Sequence, residues 1–207
     1  MTEHTAARQP LLTGYRMVVA LVTFAAVVTE IATLAERGSF KAANFFSYFT
    51  IEANSFAVVV LILSALSPRP GRAVVMLRGA STLYMAVTGI AFSVLLSGIK
   101  DAEFTAVPWD NVVLHYLTPI AVVLDWFIDL PSVRIAYRDA LVWLAVPIAY
   151  AAYSLIRGPI VHWYPYPFLD PGQHSAAEIA ITIAALVVLA AALIWIVIRF
   201  TGREVRR

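Results

Sequence analysis

Six runs of about 20 mostly apolar residues, separated by short polar or proline-rich breaks, leave this chain few folds to choose from. In hydrocarbon every backbone N–H and C=O must be satisfied within the segment, and helices do this with runs of that length. The runs read as helices at about 14–35, 44–66, 74–98, 109–130, 138–156 and 176–200. The expected fold is therefore all-α: a six-helix transmembrane bundle forming a single integral membrane domain over residues 1–207, multi-pass in the cell membrane. The breaks carry turn chemistry: "SPRPGR" (Ser67–Arg72), "LPS" (Leu130–Ser132) and "YPYPFLDPG" (Tyr164–Gly172). Pro147 falls inside the fifth run and predicts a kink. With 61% hydrophobic and 14% charged residues, no sizeable soluble domain fits beside the spans. The N-terminal stretch lacks a compact apolar core followed by a small-residue cleavage site, and the apolar run after it is long enough to span, so that run reads as an uncleaved first helix. The absence of cysteine excludes disulfides and thiolate metal sites.

The cations set an orientation. Of the 15 Lys and Arg residues, eleven fall on one side: Arg8, Arg16, Arg69, Arg72, Arg78, Arg134, Arg138, Arg199, Arg203, Arg206 and Arg207. Arg37, Lys41, Lys100 and Arg157 fall on the other. That asymmetry predicts both termini in the cytoplasm, and it assigns the basic excess to loops rather than to a nucleic-acid surface.

Polar residues inside the runs are costly and face a bundle interior or a cavity. At about 100° per residue, Asn111, His115, Thr118, Asp125 and Asp129 fall within a stripe of roughly 80° on the fourth run. Ser47, Thr50 and Asn54 share a face of the second run, and Glu52 lies nearly opposite. Glu52 thus needs its own partner, with Lys41, Arg157 or a hydroxyl as the options. Thr50 and His115 each lie six residues into runs that start on the same side, so both sit about 9 Å below that boundary. A hydroxyl is a weak nucleophile until a base takes its proton, and histidine suits that task near neutral pH. Asn54, Asn111 and Ser47 are the candidates to orient the imidazole or stabilise an oxyanion. Asp110 and Glu52 are the nearer carboxylates. Asp125 and Asp129 lie several turns deeper, where they read as a helix end paired with Arg134 and Arg138.

The outer loop from Arg157 to His174 holds His162, Asp170 and His174, but their spacing matches no compact zinc pattern, and neither metal nor cofactor is expected. Its Trp163, Tyr164, Tyr166 and Phe168 fit an aromatic belt at the lipid–water boundary. GxSxG, P-loop, HExxH and CxxC signatures are absent from the sequence.

At "FFSYFTIEANSF" (Phe45–Phe56), "HYLTPIAVVLDW" (His115–Trp126) and "YPYPFLD" (Tyr164–Asp170), the chain resembles a bacterial family of six-helix membrane proteins. That family is similar to the androgen-induced and androgen-dependent TFPI-regulating proteins of animals. Those are threonine hydrolases that cleave fatty acid esters of hydroxy fatty acids. The resemblance implies that the animal nucleophile corresponds to Thr50 and the animal histidine to His115. The expected activity is an intramembrane lipid ester hydrolase. Its substrate is a lipid or fatty acyl ester, with Phe46, Phe49, Tyr116, Trp163 and Tyr166 as substrate-binding side chains. Two other readings follow from the residues: a small transporter using the fourth run's stripe as a proton path, and a lipid-binding protein using the aromatic loop.

Overall fold

The computed structural model describes residues 3–67, 69–99 and 105–202, with side chains from residue 9 onward. The chain begins with α1 (Glu3–Glu36), the single turn α2 (Ala42–Phe45) and α3 (Phe49–Ala65). Next, α4 (Arg72–Ala91) runs into a π turn, Phe92–Leu96. The fourth run is α5 (Pro108–Val112), a π turn at Val113–Leu117, and α6 (Thr118–Ile128). The fifth is α7 (Tyr137–Ala140), a 3₁₀ turn at Leu141–Leu144, and α8 (Ala145–Val161), and the last is α9 (Ala176–Ile198). Among the described residues no strand occurs, and five helical stretches are long and apolar enough to cross a membrane. Helix α3 is apolar but shorter, at 17 residues.

Helix α4 is the hub, packed against α3, α6 and α9, and α1 lies along α3. Leu83 and Met85 of α4, Trp126 of α6 and Ile194 of α9 are fully sealed from the surface. The Trp126 indole donates to the Val197 carbonyl at 2.8 Å, which ties α6 to α9. Outward-facing positions on α8 and α9, such as Ile156, Ile160, Ile181 and Val188, are exposed and apolar, as a lipid-facing surface requires.

Two prolines explain changes of helix pitch. Pro147 has no N–H to offer the Trp143 carbonyl four residues back. The Tyr84 hydroxyl fills that place at 3.0 Å, and the strain is taken up by the 3₁₀ turn just before α8. Pro119 acts likewise on the fourth run. With its N–H missing, the helix widens into the π turn, and the Thr118 N–H bonds back to the Val113 carbonyl. The Leu114 carbonyl is then left without a backbone donor, and an α3 side chain takes it (below).

Three sequence expectations are corrected here. The second run is not one helix from 44 to 66: it breaks after Phe45 and restarts at Phe49. Asp125 and Asp129 pair with Arg16 and Arg78 rather than with Arg134 and Arg138. Arg16 Nε meets Asp125 Oδ1 at 2.6 Å and Arg16 Nη2 meets Asp129 Oδ2 at 2.5 Å, while Arg78 Nη2 meets Asp125 Oδ2 at 3.0 Å. Arg78, one of the eleven cations counted on one side, lies buried in α4. Glu52 is exposed on α3, and neither Lys41 nor Arg157 reaches it; Arg157 donates instead to Asn44 Oδ1 at 2.7 Å. The orientation count rests partly on Lys100, Arg203, Arg206 and Arg207, which lie outside the described residues, as does the side chain of Arg8.

Candidate functional site

The break in the second run builds the site. Its backbone turns at Phe46–Tyr48, and α8 holds that turn. The Tyr150 hydroxyl donates to the Ser47 carbonyl at 2.9 Å, and the Ser47 hydroxyl lies 2.8 Å from the Tyr153 hydroxyl. Thr50 consequently becomes the second residue of α3 instead of a mid-helix residue. The first N–H groups of a helix have no intrahelical acceptor and carry the positive end of its dipole. The Thr50 N–H finds its acceptor in the Tyr166 hydroxyl at 3.1 Å. An anion forming at the Thr50 side chain would therefore lie beside a positive helix end.

The π turn delivers His115 to the same point. Its ring lies 3.8 Å, centroid to centroid, from Phe92 and nearly parallel to it, at the start of the other π turn. His115 Nε2 is 3.3 Å from Thr50 Oγ1, and Nδ1 is 3.2 Å from the Asn111 carbonyl. Tyr166, which lies in the loop after α8, brings its hydroxyl to 3.2 Å from Thr50 Oγ1. All three side chains are buried, with exposures of 7%, 4% and 7% for Thr50, His115 and Tyr166.

Chemistry fixes the direction of every bond in this chain. A backbone carbonyl only accepts, so Nδ1 carries the proton of the neutral ring and Nε2 is the acceptor. A backbone N–H only donates, so the Tyr166 oxygen accepts from Thr50. The Thr50 hydroxyl then donates to Nε2, and the Tyr166 hydroxyl donates to Thr50 Oγ1. The result is a hydroxyl with its proton already directed at a base whose other nitrogen is anchored. Its 3.3 Å length is ordinary for such a pair before substrate binds. Burial pushes the Tyr166 phenol up to about 12, against a smaller opposing pull from Thr50, so near neutral pH it stays protonated and able to donate.

The other expected site residues stand as follows. Asn54 Nδ2 donates to the Thr50 carbonyl at 2.8 Å and to the orphaned Leu114 carbonyl at 3.1 Å. Both of its hydrogens are spent on joining α3 to the π turn, so Asn54 sets the spacing of Thr50 and His115 through backbone carbonyls. Asn111 orients the imidazole through its backbone, not its side chain. Ser47 faces α8 and is not part of the pair. Neither Asp110 nor Glu52 reaches the His115 ring; Asp110 is fully buried beside Glu30, whose carboxylate accepts from the Ala106 N–H at 2.7 Å.

Two cavities meet at Thr50, Leu96 and Tyr166. One, of about 90 Å³, is apolar and lies between α3, α4, α8 and α9, with Phe49, Phe92, Tyr150 and Ile183 among its walls. The other, of about 600 Å³, is mixed in polarity and is lined by Glu30, Arg37, Lys41, Asn44, His115 and Trp163. Of the expected substrate contacts, Phe49, Trp163 and Tyr166 line a cavity. Phe46 and Tyr116 line neither of these two: Phe46 is 53% exposed, and Tyr116 packs edge-on against Phe92. Among the described residues no group of three His, Cys, Asp or Glu side chains converges as a metal would need. Asp170 instead accepts from the Gly172 N–H at 2.8 Å and from Gln173 at 3.0 Å.

The loop that carries Tyr166 is seated through Gly158. A Cβ on Gly158 would run into the Tyr164 ring. Gly158→Val is therefore expected to shift the Tyr164–Tyr166 segment and, for the expected hydrolase activity, to lower turnover by roughly 10–100-fold, since about 1 Å of misplacement costs on that order. Unaltered turnover in Gly158→Val would show that the loop does not set the site.

Comparison with family models, with curated proteins and with solved structures returns no match for this chain.

Proposed function

We propose that this protein is an intramembrane lipid ester hydrolase of the type that cleaves fatty acid esters of hydroxy fatty acids, with Thr50 as nucleophile and His115 as base. The observation that carries the reading is the Thr50 Oγ1–His115 Nε2 contact at 3.3 Å, with Nδ1 anchored on the Asn111 carbonyl. His115 takes the hydroxyl proton as Thr50 attacks the ester carbonyl, then gives it to the departing alkoxide. Water regenerates Thr50 by the same route. The two cavities meeting at Thr50 suit an ester with an apolar acyl chain on one side and a more polar alcohol portion on the other.

The reading places the chain as a six-span bundle in the cell membrane with both termini cytoplasmic. Helix α3 is about 26 Å long, and with the α2 turn it approaches the roughly 30 Å hydrocarbon thickness. The resemblance to the animal threonine hydrolases supports the residue pair and the substrate class. The proton-path reading loses its deep members, because Asp125 and Asp129 are held by Arg16 and Arg78.

Purified protein should release fatty acid and hydroxy fatty acid from such an ester. His115→Ala should cut that rate by about 10²–10⁴-fold, the usual contribution of a positioned acid–base group. Equal rates from wild type and His115→Ala would remove His115 from the mechanism.

A further inference from the structure

The attack on an ester carbonyl places a negative charge on its oxygen, and a buried site must supply a donor for it. The donors around Thr50 are few. Both Asn54 amide hydrogens are spent on the Thr50 and Leu114 carbonyls. The Ser47 hydroxyl is turned to the Ala43 carbonyl and Tyr153. The His115 Nε2 side is committed to the nucleophile's proton. The Tyr166 hydroxyl remains, 3.2 Å from Thr50 Oγ1 and lining both cavities.

We propose that Tyr166 is a catalytic residue whose hydroxyl donates to the ester oxyanion during attack by Thr50. Three features prepare it. Its oxygen accepts from the Thr50 N–H, which strengthens its own O–H as a donor. Its ring is stacked on Phe168 at 5.2 Å and meets Tyr48 edge-on at 5.7 Å, so the phenol is held in place. It stands at the positive end of α3.

In the resting site the Tyr166 proton points to Thr50 Oγ1. As Oγ1 bonds to the carbonyl carbon, its own proton passes to His115 Nε2 and the carbonyl π pair moves onto the carbonyl oxygen. That oxygen lies two bonds from Oγ1, across the carbonyl carbon, and the Tyr166 O–H turns to it. Collapse re-forms the C=O, breaks the carbon–alkoxy bond, and returns the proton from Nε2 to the alkoxide. Tyr166 keeps its proton throughout. The aromatic-belt expectation for Tyr166 accounts for its place in the loop but not for these contacts.

This inference rests on Thr50 as the nucleophile, and its test separates the two. Tyr166→Phe keeps the ring packing and removes the donor. It is expected to lower kcat by about 10²–10³-fold with KM within about threefold of wild type; the thermal midpoint should fall by a few degrees, because the Thr50 N–H loses its acceptor. Its rate of labelling by a fluorophosphonate should fall in parallel, because the phosphoryl oxygen of the adduct occupies the oxyanion position. Replacement of Tyr166 by 4-aminophenylalanine, which restores an N–H donor on the same ring, should recover a measurable part of kcat. A purely structural tyrosine would lower stability without a selective loss of kcat and would show no such rescue. If Thr50→Ala is inactive while Tyr166→Phe keeps kcat within about twofold of wild type, Tyr166 is not the donor and Thr50 stands. If Thr50→Ala is itself active, the nucleophile and the donor fall together.

Discussion

Thr50→Ala should abolish ester hydrolysis, lowering kcat/KM by at least about 10³-fold, as loss of a nucleophile does in other acyl-transfer sites. That loss corresponds to roughly 4 kcal/mol of transition-state stabilisation. It should come without unfolding. The substitution removes the Oγ1 contacts to His115 and Tyr166, each worth about 1 kcal/mol net, and leaves the N–H of residue 50 bonded to Tyr166. Thr50→Ser retains a hydroxyl at the same helix position and should keep part of the activity. Full activity in Thr50→Ala, measured by fatty acid release from purified protein, would contradict the assignment.

The second large effect lies at the opposite end of the bundle and concerns stability, not turnover. Asp125→Ala would take away the buried carboxylate shared by the Arg16 and Arg78 guanidinium groups and leave them only the partly exposed Asp129. The Arg16, Arg78 and Asp125 side chains are 7%, 4% and 7% exposed, so little water would replace it. Breaking such a buried pair from one side costs roughly 3–5 kcal/mol, which for a chain of this size is a fall of about 10 °C in thermal midpoint. The Arg16–Asp125–Arg78 link joins α1, α6 and α4, so the loss is expected to be cooperative. A midpoint within about 2 °C of wild type would show that the network is dispensable.

The sequence marks the helices well because hydrocarbon allows so few alternatives. The last run illustrates this: expected at about 176–200, it forms Ala176–Ile198 with a Ser175–Glu178 capping box at its start. The break at Phe46–Tyr48 was not legible, because no proline or glycine marks it. It is stabilised from a distance, by Tyr150 and Tyr153 of α8. That distance is also why the expected face shared by Ser47, Thr50 and Asn54 divides. Ser47 lies before the helix, and the other two are one turn apart within it.

The Thr50–His115 proximity was legible from matched depth, although the reason differs. Thr50 is near the start of its helix, and His115 rides on a π turn created by Pro119. That proline stands in the sequence four residues after His115 and was the signal for the altered pitch. Arg78 gave a comparable signal, since a cation inside an apolar run calls for a buried carboxylate. Tyr166 was expected among the substrate contacts, but its bonds to Thr50 could not be read from the sequence, because its loop is fixed by packing on Gly158 and Phe168 rather than by any local pattern.

The central claim, that the Thr50 hydroxyl is the nucleophile, is tested most directly by locating a covalent adduct. Purified protein treated with a fluorophosphonate and digested for mass spectrometry should carry the label on Thr50. The label should be absent from Thr50→Ala and reduced in His115→Ala. A label on a different residue, or an unlabelled Thr50 in protein that loses activity to the probe, would contradict the account.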